Sequence, residues 1–203
     1  MRKLPAILLL SLGLTVGGCA TAETSANLKE SFDSGVAAYD AGDYPRAYKI
    51  WSAIDDEDIA AMRNVAMMRR QGLGTAKDPK GAEDMYLRAA EAGLPTAQAD
   101  LADMLIRGEA GPPDPGRALP LLEAAAAANH PMAQYELAQF YETGQLVPRN
   151  LTVARNLYAA AASHGMKEAQ ARLEQLGPAP TEAAQGPVQS GTTPVTPPSA
   201  AAH

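Results

Sequence analysis

Cysteine, aromatic side chains and basic clusters are all scarce in this chain of 203 residues. A single cysteine allows neither an intramolecular disulfide nor a metal site built from several thiolates. Aromatic residues make up 5% of the sequence, which disfavours a β-sandwich and suits closely packed helices. The formal net charge is −6 and no block of lysine and arginine occurs. Nucleic acid is therefore excluded as a partner, because phosphate contacts supply most non-specific affinity.

Long apolar runs are also missing, and the one marked run lies at the N-terminus. Residues 1–20 read MRKLPAILLLSLGLTVGGCA: two cations, an apolar stretch from about Leu4 to Val16, then small residues. That stretch is shorter than the roughly 20 residues that cross a bilayer. It is typical of a bacterial export signal.

The exit VGGC resembles the lipobox of bacterial lipoproteins, in which a cysteine follows an aliphatic and two small residues. The resemblance implies cleavage after Gly18 and acylation of Cys19, and Ala20 in the next position favours the outer membrane, with the chain facing the periplasm. A general secretory signal with an incidental cysteine is the alternative. We expect a signal peptide over 1–18 and a lipidated tether over 19–27.

A repeat of 36 residues dominates the rest of the chain. Ala97-Gln98, Ala133-Gln134 and Ala169-Gln170 lie 36 residues apart, and glycines, helix-capping residues and alanines recur in the same register. Each unit predicts two helices. The first ends at Gly72, Gly108 or Gly144, and the second begins after Asp78, Asp114 or Asn150 and ends at Gly93, Asn129 or Gly165. Within the second helix of the middle unit, Pro120 is expected to cause a kink.

The recurring pattern AxxxLAxxLxxGxxxxxDxxxAxxLxxAAxxN resembles the Sel-one-like repeat (SLR), a tetratricopeptide-like family. The resemblance implies an all-α fold, an α/α solenoid, with three repeats and a C-terminal capping helix over residues 60–177. Residues 28–59 resemble a tetratricopeptide hairpin, a likeness carried by Gly35, Ala38, Tyr39, Gly42, Tyr44, Ala47 and Trp51. Residues 178–203 are rich in proline and alanine and are predicted to form a disordered tail.

Catalytic and metal-binding patterns are absent from the sequence. We therefore predict that the protein is not an enzyme and that it binds no cofactor and no small-molecule substrate. His130 and His164 are interpreted as loop-end histidines, with a metal pair as the alternative. The acidic run DDED at 55–58 is interpreted as favourable charge at a helix start, with calcium binding as the alternative.

The first helix of each unit carries a polar stripe at i, i+4 and i+7. We predict that this stripe forms a groove that binds a partner protein, with an ordinary solvated face as the alternative. Substitutions of Arg63, Arg70, Tyr135 and Glu142 are expected to weaken partner capture without lowering stability. The predicted groove consists of Arg63, Met67, Arg70, Asp103, Ile106, Tyr135, Gln139 and Glu142, with Ala99 in the same row.

The family resemblance implies a scaffold or adaptor in the bacterial envelope that takes part in assembly, secretion, export or signalling. Its partner would be another envelope protein or peptide. Two alternatives stay open. One is a hydrolase, because some members of the repeat family are associated with β-lactam hydrolysis. The other is a passive lipoprotein with a structural role.

Overall fold

The computed structural model describes the backbone of residues 17–177 and the side chains of residues 25–177. Most of the predicted signal peptide, the side chain of Cys19 and the predicted tail over 178–203 lie outside the described residues. Within 17–177 the regular structure is entirely helical. The helices are α1 Gly17–Asp40, α2 Tyr44–Trp51, α3 Ile59–Gln71, α4 Pro79–Glu91, α5 Pro95–Arg107, α6 Pro115–Ala127, α7 Pro131–Thr143, α8 Leu151–Ser163 and α9 Lys167–Leu176.

The helices pack in sequence order as four hairpins and a closing helix. The hairpins are α1 with α2, α3 with α4, α5 with α6 and α7 with α8, and each hairpin contacts the next. The helix α9 packs on α8 and repeats only the first helix of a unit. This is the predicted α/α solenoid with its capping helix.

The 36-residue register is visible at the ends of the helices of the three repeats. The helices α3, α5 and α7 end at Gly72, Gly108 and Gly144, whose φ angles are +76°, +66° and +77°. One backbone hydrogen bond closes each following loop. The N–H groups donate to carbonyl oxygens of the preceding helix: Asp78 to Arg69 at 2.8 Å, Asp114 to Leu105 at 2.8 Å and Asn150 to Tyr141 at 2.7 Å. The side chains of Asp78, Asp114 and Asn150 cap α4, α6 and α8, which confirms the predicted helix starts.

The ends of the second helices are confirmed as well. Gly93, Asn129 and Gly165 have φ angles of 87°, 61° and 87°, and Asn129 is the only non-glycine residue with positive φ in the described chain. Asp58, the last residue of the DDED run, caps α3 and accepts hydrogen bonds from the backbone N–H groups of Ala60 and Ala61, both at 2.8 Å.

Alanine occupies the closest approaches between helices. Ala82, Ala118 and Ala154 are fully buried at equivalent positions of the three units. Four positions later in each second helix a large side chain, Tyr86, Leu122 or Tyr158, is buried to 1% exposure or less. The core therefore alternates small and large residues, which lets neighbouring helices approach closely while filling the space between them.

Glutamine side chains join consecutive units. The Nε2 group of Gln98 donates to the carbonyl of Ala90 at 3.3 Å, and Gln134 donates to the equivalent carbonyl of Ala126 at 3.1 Å. Each bond satisfies a carbonyl in the last turn of one second helix from the first turn of the next unit. The recurring Ala-Gln pair thus combines a packing residue with a link between units.

The N-terminal hairpin is built around Trp51, which is 2% exposed. Its indole Nε1 donates to the carbonyl of Phe32 at 3.2 Å, and the ring lies directly over Gly35, where a Cβ would collide with it. Tyr39 and Tyr44 meet edge to face with ring centroids 5.2 Å apart. The three aromatic residues that carry the tetratricopeptide likeness, Tyr39, Tyr44 and Trp51, therefore form one cluster.

The joint between this hairpin and the first repeat depends on Gly74. Its φ is +67°, and a Cβ built there would overlap the carbonyl group of Tyr44 and lie 2.6 Å from the nitrogen of Pro45. The loop after α3 thus touches the backbone at the start of α2, an approach that only glycine permits.

Residues 17–27, which include the predicted tether over 19–27, belong to α1, and the lipidated tether stays a prediction. Alanine and glutamate in this segment favour helix, and a helix already nucleated by the packed residues of α1 extends at little cost. No helix among the described residues is both long and apolar enough to cross a membrane.

The helix α6 is continuous through Pro120, which lies on its exposed side. Ala125 and Ala126 are buried, whereas Ala124, Ala127 and Ala128 are exposed. The alanine-rich stretch is thus a packed helix, and the kink at Pro120 stays a prediction.

Candidate functional site

The predicted groove residues lie on the first helices of the repeats. We call the surface formed by α3, α5, α7 and the capping helix α9 the first-helix face. Along it, side chains from one helix reach the next at three junctions: α3–α5, α5–α7 and α7–α9. Each junction has a different electrostatic arrangement.

At the α3–α5 junction, cations of α3 meet carboxylates of the next unit. Arg63 Nε donates to Asp100 Oδ2 at 2.6 Å. Arg70 bonds to Asp103 at 2.5 Å and to both carboxylate oxygens of Glu109 at 2.7 and 2.5 Å. Only 15% of the Arg70 side chain is exposed, so this network is largely shielded from water.

The Arg70 network perturbs the carboxylate that it binds. The hydrogen bond from Arg70 holds the pKa of Glu109 below its ordinary value, against the opposing effect of burial. The carboxylates in turn raise the pKa of Arg70, chiefly through the hydrogen bond to Glu109 and against the opposing effect of desolvation. Arg107 completes the network, because its Nε donates to the other oxygen of Asp103 at 2.6 Å.

At the α7–α9 junction the polarity is reversed. Glu142 occupies the position of Arg70, two units later, and accepts a hydrogen bond from Arg172 Nε at 2.9 Å. It also accepts from the hydroxyl of the buried Tyr158 at 2.8 Å, and Tyr135 packs on Tyr158 with ring centroids 5.5 Å apart. The hydrogen bond from Arg172 is the main favourable contribution that holds the pKa of Glu142 below its usual range.

The α5–α7 junction has no such pair. Glu136 is the equivalent of Asp100, but Ala99 and Ile106 stand where the preceding unit has Arg63 and Arg70. No ion pair between described residues includes Glu136. Burial, and then the nearby charges of Asp103 and Asp100, raise the pKa of Glu136 to about 7.

A cavity of about 480 Å³ opens between α7, α8 and α9 on this same face. Tyr135, Gln139 and Glu142 of the predicted groove line it together with Phe140, Tyr158, Arg172 and Gln175. It combines aromatic surface with amide groups and a bound ion pair, a mixture suited to holding a polypeptide segment.

In the structure the residues of the predicted groove fall into two groups, those that contact other parts of the chain and those that are available at the cavity. Arg63, Arg70, Asp103 and Glu142 are engaged within the chain. Met67 lies against Tyr39, whose hydroxyl is 3.7 Å from its sulfur, and Ile106 packs against the core. Gln139 is exposed, and Tyr135 is half-buried at the cavity. Because the charged members link repeats, their substitution is expected to lower stability, contrary to the sequence-based expectation.

Sequence reasoning missed the partners of these charges. Asp100, Glu109, Arg172 and Gln175 complete the pairs or the cavity but do not belong to the stripe counted along each helix. One signal was available: Asp100, Glu136 and Arg172 are 36 residues apart and change from acidic to basic. When the charge at an equivalent position changes from one repeat to the next, each junction between first helices is expected to have a different ion-pair arrangement.

The two inner histidines have local roles. His130 precedes α7, and its Nδ1 accepts a hydrogen bond from the backbone N–H of Ala133 at 3.3 Å. His164 ends α8. Over the described part of the chain, no three histidine, cysteine, aspartate or glutamate residues are grouped as a metal site requires.

Comparison with known proteins agrees with this arrangement. The Sel1 repeat profile matches residues 59–94, 95–130 and 131–166. A Sel1 repeat protein from Oxalobacter formigenes is 31% identical with a TM-score of 0.68, over 71% of this chain and 60% of that protein. A protective antigen with an SLR fold from uropathogenic Escherichia coli is 25% identical with a TM-score of 0.66, over 77% of this chain and 35% of that protein.

A Pseudomonas aeruginosa protein shares the fold at 24% identity and a TM-score of 0.56, over 73% of this chain and 58% of that protein. This chain thus spans less than two thirds of each of these proteins. A search of curated proteins finds no significant match. The three matched units cover more than half of the chain and coincide with the hairpins α3–α4, α5–α6 and α7–α8. The chain belongs to the Sel1 repeat family.

Proposed function

We propose that this protein is an interaction scaffold that binds a polypeptide segment of another envelope protein along the part of the first-helix face formed by α5, α7 and α9. Repeats of this family suit protein–protein interaction, since stacked hairpins present an extended surface. The cavity lined by Tyr135 and Gln139 carries the proposal, because it is open, partly aromatic and located on that face.

The N-terminal half of the first-helix face is less suited to binding a partner. At the α3–α5 junction the arginines are already paired with carboxylates of the next unit, and binding a partner there would require those pairs to open. The C-terminal half also contains an ion pair, Arg172 with Glu142, and Gln175 accepts a hydrogen bond from Arg172 at 2.6 Å. Gln139 is exposed, so a segment can contact its amide without opening that pair. The C-terminal half is therefore the better binding surface.

Gln139→Arg is expected to lower the affinity for a captured partner at least tenfold, because a long cation would fill the cavity. The melting temperature should stay unchanged, since the Gln139 side chain is exposed. The partner is first captured in cells by a photo-crosslinking residue at position 139, and its affinity is then measured with purified proteins. Glu123→Arg, an exposed position on α6, is the matched control. Equal capture from positions 139 and 123 would contradict the proposal.

We further propose that the scaffold is anchored through an acylated Cys19 to the outer membrane, on the periplasmic side. The short apolar leader and the VGGC exit support this placement. In cells fed a labelled fatty acid, the wild-type protein should incorporate label and fractionate with outer membranes, whereas Cys19→Ser should do neither. Label retained by Cys19→Ser would contradict acylation at this residue.

A further inference from the structure

The α5–α7 junction differs from its two neighbours because its carboxylate, Glu136, forms no ion pair with the adjacent first helix. Four carboxylates, those of Asp100 and Asp103 on α5, Glu109 in the loop after α5 and Glu136 on α7, lie near three guanidinium groups of α3 and α5. Arg63 pairs with Asp100, Arg70 with Asp103 and Glu109, and Arg107 with Asp103. When Glu136 is ionised, it is the one of these four carboxylates that has no ion-pair partner among the described residues.

The repeat register shows what kind of group is missing. In the first junction the carboxylate at this position, Asp100, meets the guanidinium of Arg63 at 2.6 Å. In the second junction Ala99 replaces that arginine, and Ile106 replaces Arg70. In the third junction Arg172 takes the position of the carboxylate and pairs with Glu142. At these equivalent positions two junctions thus contain opposite charges that pair, whereas the middle junction has the carboxylate without the arginine.

Glu136 is next to residues of α7 that line the cavity proposed to hold the partner. It follows Tyr135 in α7, and it is three residues before Gln139, a spacing that places two side chains side by side on a helix. A segment that crosses the first-helix face from the cavity toward α5 therefore passes Glu136. A half-buried carboxylate gains more from an added cation than an exposed one, because water screens the attraction less.

We propose that the partner segment carries a lysine or arginine whose cationic group pairs with Glu136 and so completes the α5–α7 junction. This inference rests on the proposed binding function and specifies the chemistry of its partner. An acidic or phosphorylated segment would add to the excess negative charge and is disfavoured.

The test is a selection of phage-displayed random dodecapeptides on the purified chain with Cys19 replaced by serine. Peptides selected on the otherwise unchanged protein should share a lysine or arginine at one fixed position. On Glu136→Gln that preference should disappear, while peptides are still selected through the cavity. Glu91→Gln, which removes the same charge from an exposed position on α4, should keep the preference.

The possible outcomes separate this inference from the proposed function. Selected peptides without a fixed cation, or a cation retained on Glu136→Gln, would overturn the inference and leave the binding function intact. Failure to select any peptide on the unchanged protein would overturn both. Glu136→Gln removes an unpaired charge, so it should fold normally, which circular dichroism and thermal melting check.

A selected peptide allows a second measurement. The main charges acting on Glu136 are those of Asp103, Arg107 and Asp100 on α5 and of Arg70 on α3. With the pKa of Glu136 at about 7, its ionised fraction rises from about one tenth to nine tenths between pH 6 and pH 8. Affinity for the cationic peptide should rise by up to about tenfold over that range and stay constant with Glu136→Gln. A constant affinity in the unchanged protein would contradict the pairing.

Discussion

Replacing Arg70 with alanine is expected to lower the free energy of unfolding by about 3 kcal/mol, because it removes the ion-pair partner of Glu109 and one of the two partners of Asp103. Asp103 and Glu109 keep side-chain exposures of only 24% and 28%, so water compensates them poorly. Arg107 would still pair with Asp103, which keeps the loss at the lower end of the range for a broken buried pair. Urea unfolding followed by circular dichroism measures the difference.

Arg88→Ala is the matched control for Arg70→Ala. Arg88 also bridges two units, to Asp56 at 2.9 Å, but 55% and 82% of the two side chains are exposed. An exposed pair contributes less than about 1 kcal/mol, so this variant should be nearly neutral. Equal losses in the two variants would show that burial of the Arg70 network contributes nothing.

The loss in Arg70→Ala should depend on pH in a defined direction. Because Arg70 lowers the pKa of Glu109 in the folded state, the stability from this pair is present above the ordinary pKa of 4.5. It is lost as the pH falls below that value and Glu109 takes up a proton. The difference between wild type and Arg70→Ala should therefore shrink on acidification below about pH 4.5.

Gly74→Ala is expected to destabilise the protein by about 3 kcal/mol, because it combines strain in a left-handed backbone conformation with a steric overlap. The residue has a φ of +67°, and its new Cβ would overlap the backbone of Tyr44. The contact is with helical backbone of α2, which cannot rotate away as a side chain does. The N-terminal hairpin should loosen first, and Trp51, the only tryptophan, reports this by fluorescence.

The control is Gly42→Ala, at a position with a similar φ of +76° but with no atom within 4 Å of a built Cβ. Gly42→Ala should lower the free energy of unfolding only by the strain of the left-handed conformation, about 1 kcal/mol. The excess loss in Gly74→Ala measures the close approach between the loop and α2. Equal effects of the two substitutions would mean that the hairpin adjusts to the added methyl group.

The fold could be predicted from the sequence because its signals are local and repeated. Asp78, Asp114 and Asn150 cap helices through bonds that span three residues or fewer, and the glycines that end helices act on their own backbone. Local signals of this kind need no knowledge of neighbours in space. Their recurrence every 36 residues then fixes how the hairpins stack.

The electrostatics of the candidate site could not be predicted in the same way. Arg63 and Asp100 are 37 residues apart, and Arg70 and Glu109 are 39 apart, so neither pair keeps the repeat period. Such contacts depend on side-chain length and on the loop after α5, which carries Glu109. A stripe counted along one helix finds exposed positions but does not show which of them are occupied by neighbours.

The length of α1 has a consequence for how the scaffold stands relative to its anchor. Among the described side chains of α1, which begin at residue 25, the first that packs against the core is Phe32. At a rise of 1.5 Å per residue, the helix between residues 19 and 32 spans about 20 Å. In a chain anchored at Cys19, this segment would act as a spacer that fixes the height of the binding face above the lipid. Removing one turn from this segment would lower that height by about 5 Å and rotate the binding face little. The described core contacts of α1, which begin at Phe32, would stay unchanged.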